Sequence, residues 1–195
     1  MATPDAPIRA EALVAFHDAP GEPPPGSELW RAIADNHRMN GLLWKEEDLA
    51  RRRHVADSEI AANKRAIDGY NQKRNDAIER IDEILLLGLA KVEPGKNSRL
   101  NSETPGAMID RLSILSLKIH HMRLQTERTD VDPAHIEACR SKLGRLVEQR
   151  TDLAGCLDRL LAEAERGETR FKVYRQFKMY NDPALNPAIY GERKR

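Results

Sequence analysis

The chain is expected to fold as an all-α protein: an up-and-down bundle of four main helices with a short C-terminal aromatic helix or extended tail. Charged residues make up 32% of its 195 positions and aromatic residues only 5%, a balance typical of long amphipathic helices. Apolar residues recur at helical spacing over four long stretches. Two of those stretches open with a capping side chain followed by proline, Thr104-Pro105 and Asp132-Pro133. At that place the missing proline N–H costs nothing and the cap satisfies a first-turn donor.

Residues 1–26 are rich in proline, alanine and glycine, and Pro23-Pro24-Pro25-Gly26 is a strong breaker. They read as a flexible arm with a short helix around residues 8–17 and little surface to bury. Residues 27–195 read as a single helical domain. Ser27 is a plausible cap for the first long helix. If that helix continues through Gly41, at about 1 kcal/mol relative to alanine, then Trp30, His37, Trp44, Glu47, Asp48 and Arg51 share one face. The tryptophans suit core anchors, or walls of a pocket for a sugar or base.

Asp57 or Ser58 caps a second helix reaching to about Leu87, a rod of about 45 Å. Ile60, Ile67, Ile78, Ile81 and Leu85 form its apolar stripe, with Arg74 in the middle. Lys64, Asn71, Asn75 and Asp82 flank it. Residues 88–103, with a Pro94-Gly95 turn, read as a mobile connection over a site. The central helix follows Thr104. Met108, Leu112, Leu115, Ile119 and Met122 share one face, and Asp110, Ile114, Leu117 and His121 a second, with Arg111 and Lys118 beside it. Ser113, Ser116 and His120 make a small third face. Asp110, Arg111, Lys118 and His121 are expected among buried residues.

The fourth helix, residues 133–165, has Ile136, Cys139, Leu143, Leu146, Val147, Arg150, Ala154 and Leu157 inside and ends at Gly167. Phe171, Tyr174, Phe177 and Tyr180 can dock a short helix on the bundle. Asn181-Asp182-Pro183 and Asn186-Pro187 favour turns or extended chain. Short links between the second, third and fourth helices suggest antiparallel neighbours, and the long second helix leaves room for a homodimer interface.

Lys and Arg total 32 against 31 Asp and Glu, a net charge of +1, which argues against a nucleic-acid partner. Cys139 and Cys156 lie in one helix about 25 Å apart, too far for a disulfide, and fit a reducing cytoplasm. The sequence carries no signal-peptide pattern and no apolar run long enough for a membrane span.

A buried charge is costly unless paired, so Arg74 within an apolar stripe needs a carboxylate or an anionic ligand. Asp110 and Glu47 are the candidate partners, and also candidate catalytic carboxylates. Arg74, Lys64, Arg111 and Lys118 could hold phosphate. Trp44, Asn71 and Asn75 could contact a sugar or base, with Arg51 and His121 completing the ligand-binding set. Glu79 and Asp82, an i,i+3 pair, could hold a divalent cation such as Mg2+, although a solvated helix face often gives the same spacing. Internal ion pairs explain the same residues equally well.

The segments LLWKEEDLARR, KRAIDGYNQKRNDAIERID, NSETPGAMIDRLSILSLKIHHM and YRQFKMYNDPALNP together resemble an uncharacterised bacterial helical family, a domain of unknown function. The resemblance covers roughly residues 30–190. Members of that family tend to be encoded near glycosyltransferases of surface-polysaccharide clusters. It implies a cytoplasmic protein serving glycan assembly and carries over no catalytic residue. Three expectations follow. The chain binds or transforms a phosphorylated sugar or nucleotide-sugar in an interhelical polar cleft. Alternatively it is a non-catalytic adaptor docking on a glycosyltransferase. The third is an all-α, Mg2+-dependent nucleotide pyrophosphatase, for which Glu79 and Asp82 supply one acidic pair, and Glu46, Glu47 and Asp48 only a rough second.

Overall fold

A computed structural model describes residues 8–179 and 182–192. Among them the regular structure is helical except for one pair of two-residue strands, and irregular segments connect the elements. The helices are α1 (Ala10–Asp18), α2 (Glu28–Leu49), α3 (Asp57–Gly88), α4 (Pro105–Thr126), α5 (Pro133–Glu165) and α6 (Pro187–Glu192). Strand β1 (Arg99–Leu100) pairs in parallel with β2 (Thr169–Arg170). The all-α class therefore holds: among the described residues stand four long helices, the short one expected around residues 8–17, and a short C-terminal one that falls at Pro187–Glu192. No described helix is long and apolar enough to cross a membrane.

The helix starts follow from their caps. Ser27 accepts the Trp30 N–H, Thr104 accepts that of Ala107, and Asp132 accepts that of Ala134. The start of α3 differs from expectation: Ala56 precedes it, without a side-chain cap, and Asp57 is already helical, adding its charge to the positive end of the helix dipole.

The two helical hairpins, α2 with α3 and α4 with α5, are the most extensive pairings. α4 also touches α2, α3 and α1, and so runs through the centre. Leu29, Ile33, Ile81, Ile109, Leu112, Leu153 and Leu157 form the common core. Full burial of a leucine or isoleucine there contributes about 2 kcal/mol or more.

Three expectations change at this level. Ile8, Ala10 and Leu13 belong to that core, so the segment read as a loosely held arm supplies a packed helix from residue 10 onward. Its heptad is short but apolar at positions 10, 13 and 14, and Asp158 accepts the Ala10 N–H at 2.9 Å. The connection read as mobile is instead pinned: Gly95 N–H donates to Gly167 O, and Arg99 N–H to Glu168 O. Gly167 has φ +71, and a Cβ there would lie 2.6 Å from Glu93 O, so only glycine fits this junction. On α5, Val147 is exposed, and the buried set moves towards the C-terminal half, at Leu153, Leu157, Leu160 and Ala164.

The tail differs too. Residues 171–178 have no helix, and Phe171 alone of the described aromatics there is buried. Tyr174 and Phe177 are exposed, because the segment is held by charge rather than by its rings. Arg175 bonds Glu79 at 2.5 Å and also Glu83, while Gln176 N–H donates to Glu79 at 3.0 Å. Asn186 accepts the Ala188 N–H at 2.9 Å, so Asn186-Pro187 starts α6 rather than a turn. Tyr180 and Asn181 lie outside the described residues.

Candidate functional site

On α2, Leu29, Ile33, Asn36, Asn40 and Leu43 fall within one narrow arc at 100° per residue. Packing that arc against α4 buries two asparagines, and a buried amide needs partners. Asp110 on α4 supplies them: its Oδ1 accepts Asn36 Nδ2 and Asn40 Nδ2, each at 2.9 Å. Asn40 Nδ2 also reaches Ser113 Oγ at 3.0 Å, and Ser113 Oγ lies 2.9 Å from His37 Nδ1. With Oγ accepting from Asn40, the hydroxyl proton is free to go to His37 Nδ1.

Arg74 enters this network from α3. Its Nε is 3.8 Å from Asp110 Oδ1, too far for a hydrogen bond, and is buried without a hydrogen-bond partner among the described residues. Of the two carboxylates offered for Arg74, Asp110 is the one beside it. Glu47 instead pairs with Arg51 at 2.7 Å on the half-exposed end of α2, since it stands about 10 Å further along the helix than Asn40.

Lys178 approaches Arg74 from the C-terminal segment. Partial burial depresses its ammonium first, and the Arg74 charge adds to this, opposed by Asp76 and Asp68. Arg74 thus lies between a second cation and a buried carboxylate that is already engaged by two amides.

Other expected residues fall elsewhere. Lys64 pairs with Asp68 in solvent. Arg111 is exposed and pairs with Glu103 at 2.6 Å, and Lys118 is exposed. The expected burial of both fails because their stems point between α4 and α5 outward, where they line an open groove with Gln149, Asp152 and Cys156. Trp44 stacks flat on His121, centroids 4.3 Å apart and planes 3° from parallel. Burial lowers the His121 pKa, helped by His120 and opposed by Asp48. Asn71 is half-buried near Arg74 in sequence, one turn earlier on α3.

Glu79 and Asp82 have protein partners. Glu79 receives Arg175 and Gln176, as above. Asp82 is buried, and its Oδ1 accepts the Gly106 N–H at 2.6 Å. Desolvation raises the Asp82 carboxyl to about 6, against the pull of Thr104 and Gly106, with Glu79 adding to the rise. Among the described residues no three His, Cys, Asp or Glu side chains gather as a metal ion would need.

Asn75 lines a cavity of about 310 Å³ with Asp82, Ser102, Thr104, Tyr174 and Gln176. It is 4% exposed. No hydrogen bond to its side-chain amide occurs among the described residues.

A second polar cluster, absent from the sequence reading, sits against α1. His17 stacks on His37 at 4.9 Å, and neither of its ring nitrogens has a hydrogen-bond partner among the described residues. Burial, then His37 and Arg150, lower it to about 3. Arg150 bonds Asp18 at 2.5 Å and Ser116 at 3.1 Å. Asn36 and Asn40 could have been found from their angular positions among leucines and isoleucine. His17 had no such signal, because its helix lay in the segment read as an arm.

Residues 30–173 match the family model described as protein of unknown function (DUF4254). No curated protein and no solved structure matches the chain.

Proposed function

The chain belongs to the DUF4254 family, and from the geometry of its polar centre we propose that it binds a phosphorylated sugar or nucleotide-sugar between α2, α3 and α4. In this reading the four long helices form an up-and-down bundle, and the cleft opens between the first three. The protein acts in the cytoplasm, in glycan or surface-polysaccharide metabolism. Arg74 and Lys178 receive the phosphate, while Asp110, clamped by Asn36 and Asn40, holds the Arg74 side of the cleft rigid.

The observation that carries this is Arg74 Nε, a buried donor with no hydrogen bond among the described residues, within electrostatic reach of Lys178. An unused buried donor costs about 1–3 kcal/mol. A phosphate oxygen would satisfy it and neutralise both charges, and the guanidinium fork suits that geometry.

The adaptor reading has one observation of its own. Asp110 accepts two amide donors and lies beside Arg74, so protein groups alone engage its charge, as in a purely structural network. The exposed Tyr174 and Phe177 would then be docking residues for a glycosyltransferase.

Thermal unfolding against nucleotide-sugars, sugar phosphates, nucleoside triphosphates and inorganic phosphate, with and without Mg2+, separates the two. A ligand at one hundred times its Kd adds about 2.7 kcal/mol. A shift that vanishes in a folded Arg74→Ala variant supports the cleft. No shift with any member of the panel refutes it.

A further inference from the structure

The cavity of about 310 Å³ beside the N-terminus of α4 is not explained by the anion cleft. Its walls are chemically unlike a phosphate site. Asp82, Glu79 and Glu103 line it, and their carboxyl groups oppose an anion. Nor does a bare cation suit it, because Arg175 and the Gln176 N–H already occupy Glu79. What the walls offer is neutral hydrogen bonding. The Asn75 amide has two donors and one acceptor oxygen; the residue is more than nine-tenths buried, and its side chain makes no hydrogen bond among the described residues. Asp82, engaged by Gly106 and Thr104, keeps acceptor capacity beyond those two bonds, and Ser102 adds a hydroxyl. Tyr174, exposed on the C-terminal segment, supplies an aromatic face at one side. A cavity of this volume is at the small end of ligand sites, the size range of a single ring with its substituents.

Resting on the phosphorylated-sugar reading above, we infer that this cavity takes the sugar ring of the ligand, and that the C-terminal segment is one wall of the sugar site. A pyranose or furanose presents adjacent hydroxyls that donate to Asp82 and exchange bonds with the Asn75 amide, and an apolar ring face that lies on Tyr174. Asn75 follows Arg74 directly on α3, and Lys178 lies two residues beyond Gln176, which lines the cavity. The cavity and the two cations thus share one helix and one segment, with Asn75 about 100° around α3 from Arg74. The backbone makes the site possible at Gly106, where a Cβ would come within 2.5 Å of Ile78 O and 2.9 Å of Asp82 Cγ. Only a glycine lets the start of α4 come this close to α3 and Asp82.

The test is calorimetric titration of the full chain with glucose 1-phosphate, galactose 1-phosphate and inorganic phosphate. The same titrations are run on Asn75→Ala, Tyr174→Ala and Arg74→Ala. The expected result is that a hexose phosphate binds about tenfold or more tighter than inorganic phosphate. Asn75→Ala and Tyr174→Ala should bring the hexose phosphates down towards inorganic phosphate and leave phosphate itself unchanged. Arg74→Ala should weaken all three. Tyr174 is 57% exposed, so its variant keeps the test decisive if Asn75→Ala fails to fold. If sugar phosphates and phosphate bind alike, depend on Arg74 and ignore Asn75 and Tyr174, the sugar cavity is refuted and the anion cleft stands. If none binds the wild-type chain, both are refuted.

Discussion

Replacing Asp82 by asparagine keeps a side-chain oxygen for the Gly106 N–H, which it accepts at 2.6 Å, and removes a charge that burial disfavours. The Asp82 carboxyl titrates at about 6 in the folded chain against 3.8 for an ordinary aspartate. Its raised value means that the folded state binds the proton first as pH falls. Above pH 6 the folded chain therefore carries a penalty of about 3 kcal/mol, which fades between pH 6 and 3.8. His17 has the opposite sign. Burial beside His37 and Arg150 lowers it from 6.5 to about 3, so the unfolded chain binds its proton first. Stability from this group falls by about 1.4 kcal/mol per pH unit below 6.5. Between pH 6 and 4 the two slopes offset each other in the wild-type chain. Urea unfolding over roughly pH 4 to 8 reads the outcome. Asp82→Asn is expected to be more stable near neutral pH, by up to about 3 kcal/mol, and equal to wild type near pH 4. It should also show an acid-dependent loss that the wild type masks. A variant that is less stable near neutral pH, or that keeps the wild-type pH profile, would refute the argument.

Other substitutions test the remaining structure. Asp110→Ala strands Asn36, Asn40 and Arg74 and should cost about 3–5 kcal/mol in urea unfolding; a loss under about 1 kcal/mol would show that the network bears no weight. Gly106→Ala forces a Cβ onto Ile78 O and Asp82, with an expected loss of about 1–3 kcal/mol; a neutral effect on the midpoint would contradict that packing. Arg175→Ala breaks exposed pairs with Glu79 and Glu83. Global stability should change by less than about 1 kcal/mol, while amide exchange at residues 172–178 rises; unchanged exchange there would mean that Arg175 does not hold the segment.

The long helices were legible because caps and periodicity are local signals. Thr104-Pro105 and Asp132-Pro133 mark helix starts that chemistry alone dictates. Arg74 was legible for a related reason: a cation at the angular centre of an apolar stripe demands a partner, and Asp110 is beside it. Asn36 and Asn40 were missed because the face was chosen by its tryptophans, whereas Ile33 and Leu43 define the buried arc. Arg111 and Lys118 were misplaced because neighbouring positions on a helix point about 100° apart, and Asp110 being buried says nothing of the next residue. A short helix around residues 8–17 was legible, but its docking and that of the C-terminal segment depend on long-range contacts, Ala10 with Asp158 and Arg175 with Glu79, that no local pattern encodes.

The central claim is that Arg74 and its neighbours on α3 meet a phosphorylated sugar. Side-chain nuclear magnetic resonance tests it most directly. Arg74→Lys identifies the Arg74 Nε–H signal and Asn75→Asp the Asn75 amide pair. The account expects a titration with a nucleotide-sugar such as UDP-glucose to move both sets of signals together, with one saturating curve. If the ligand binds and leaves both unmoved, or never binds at all, the account is contradicted.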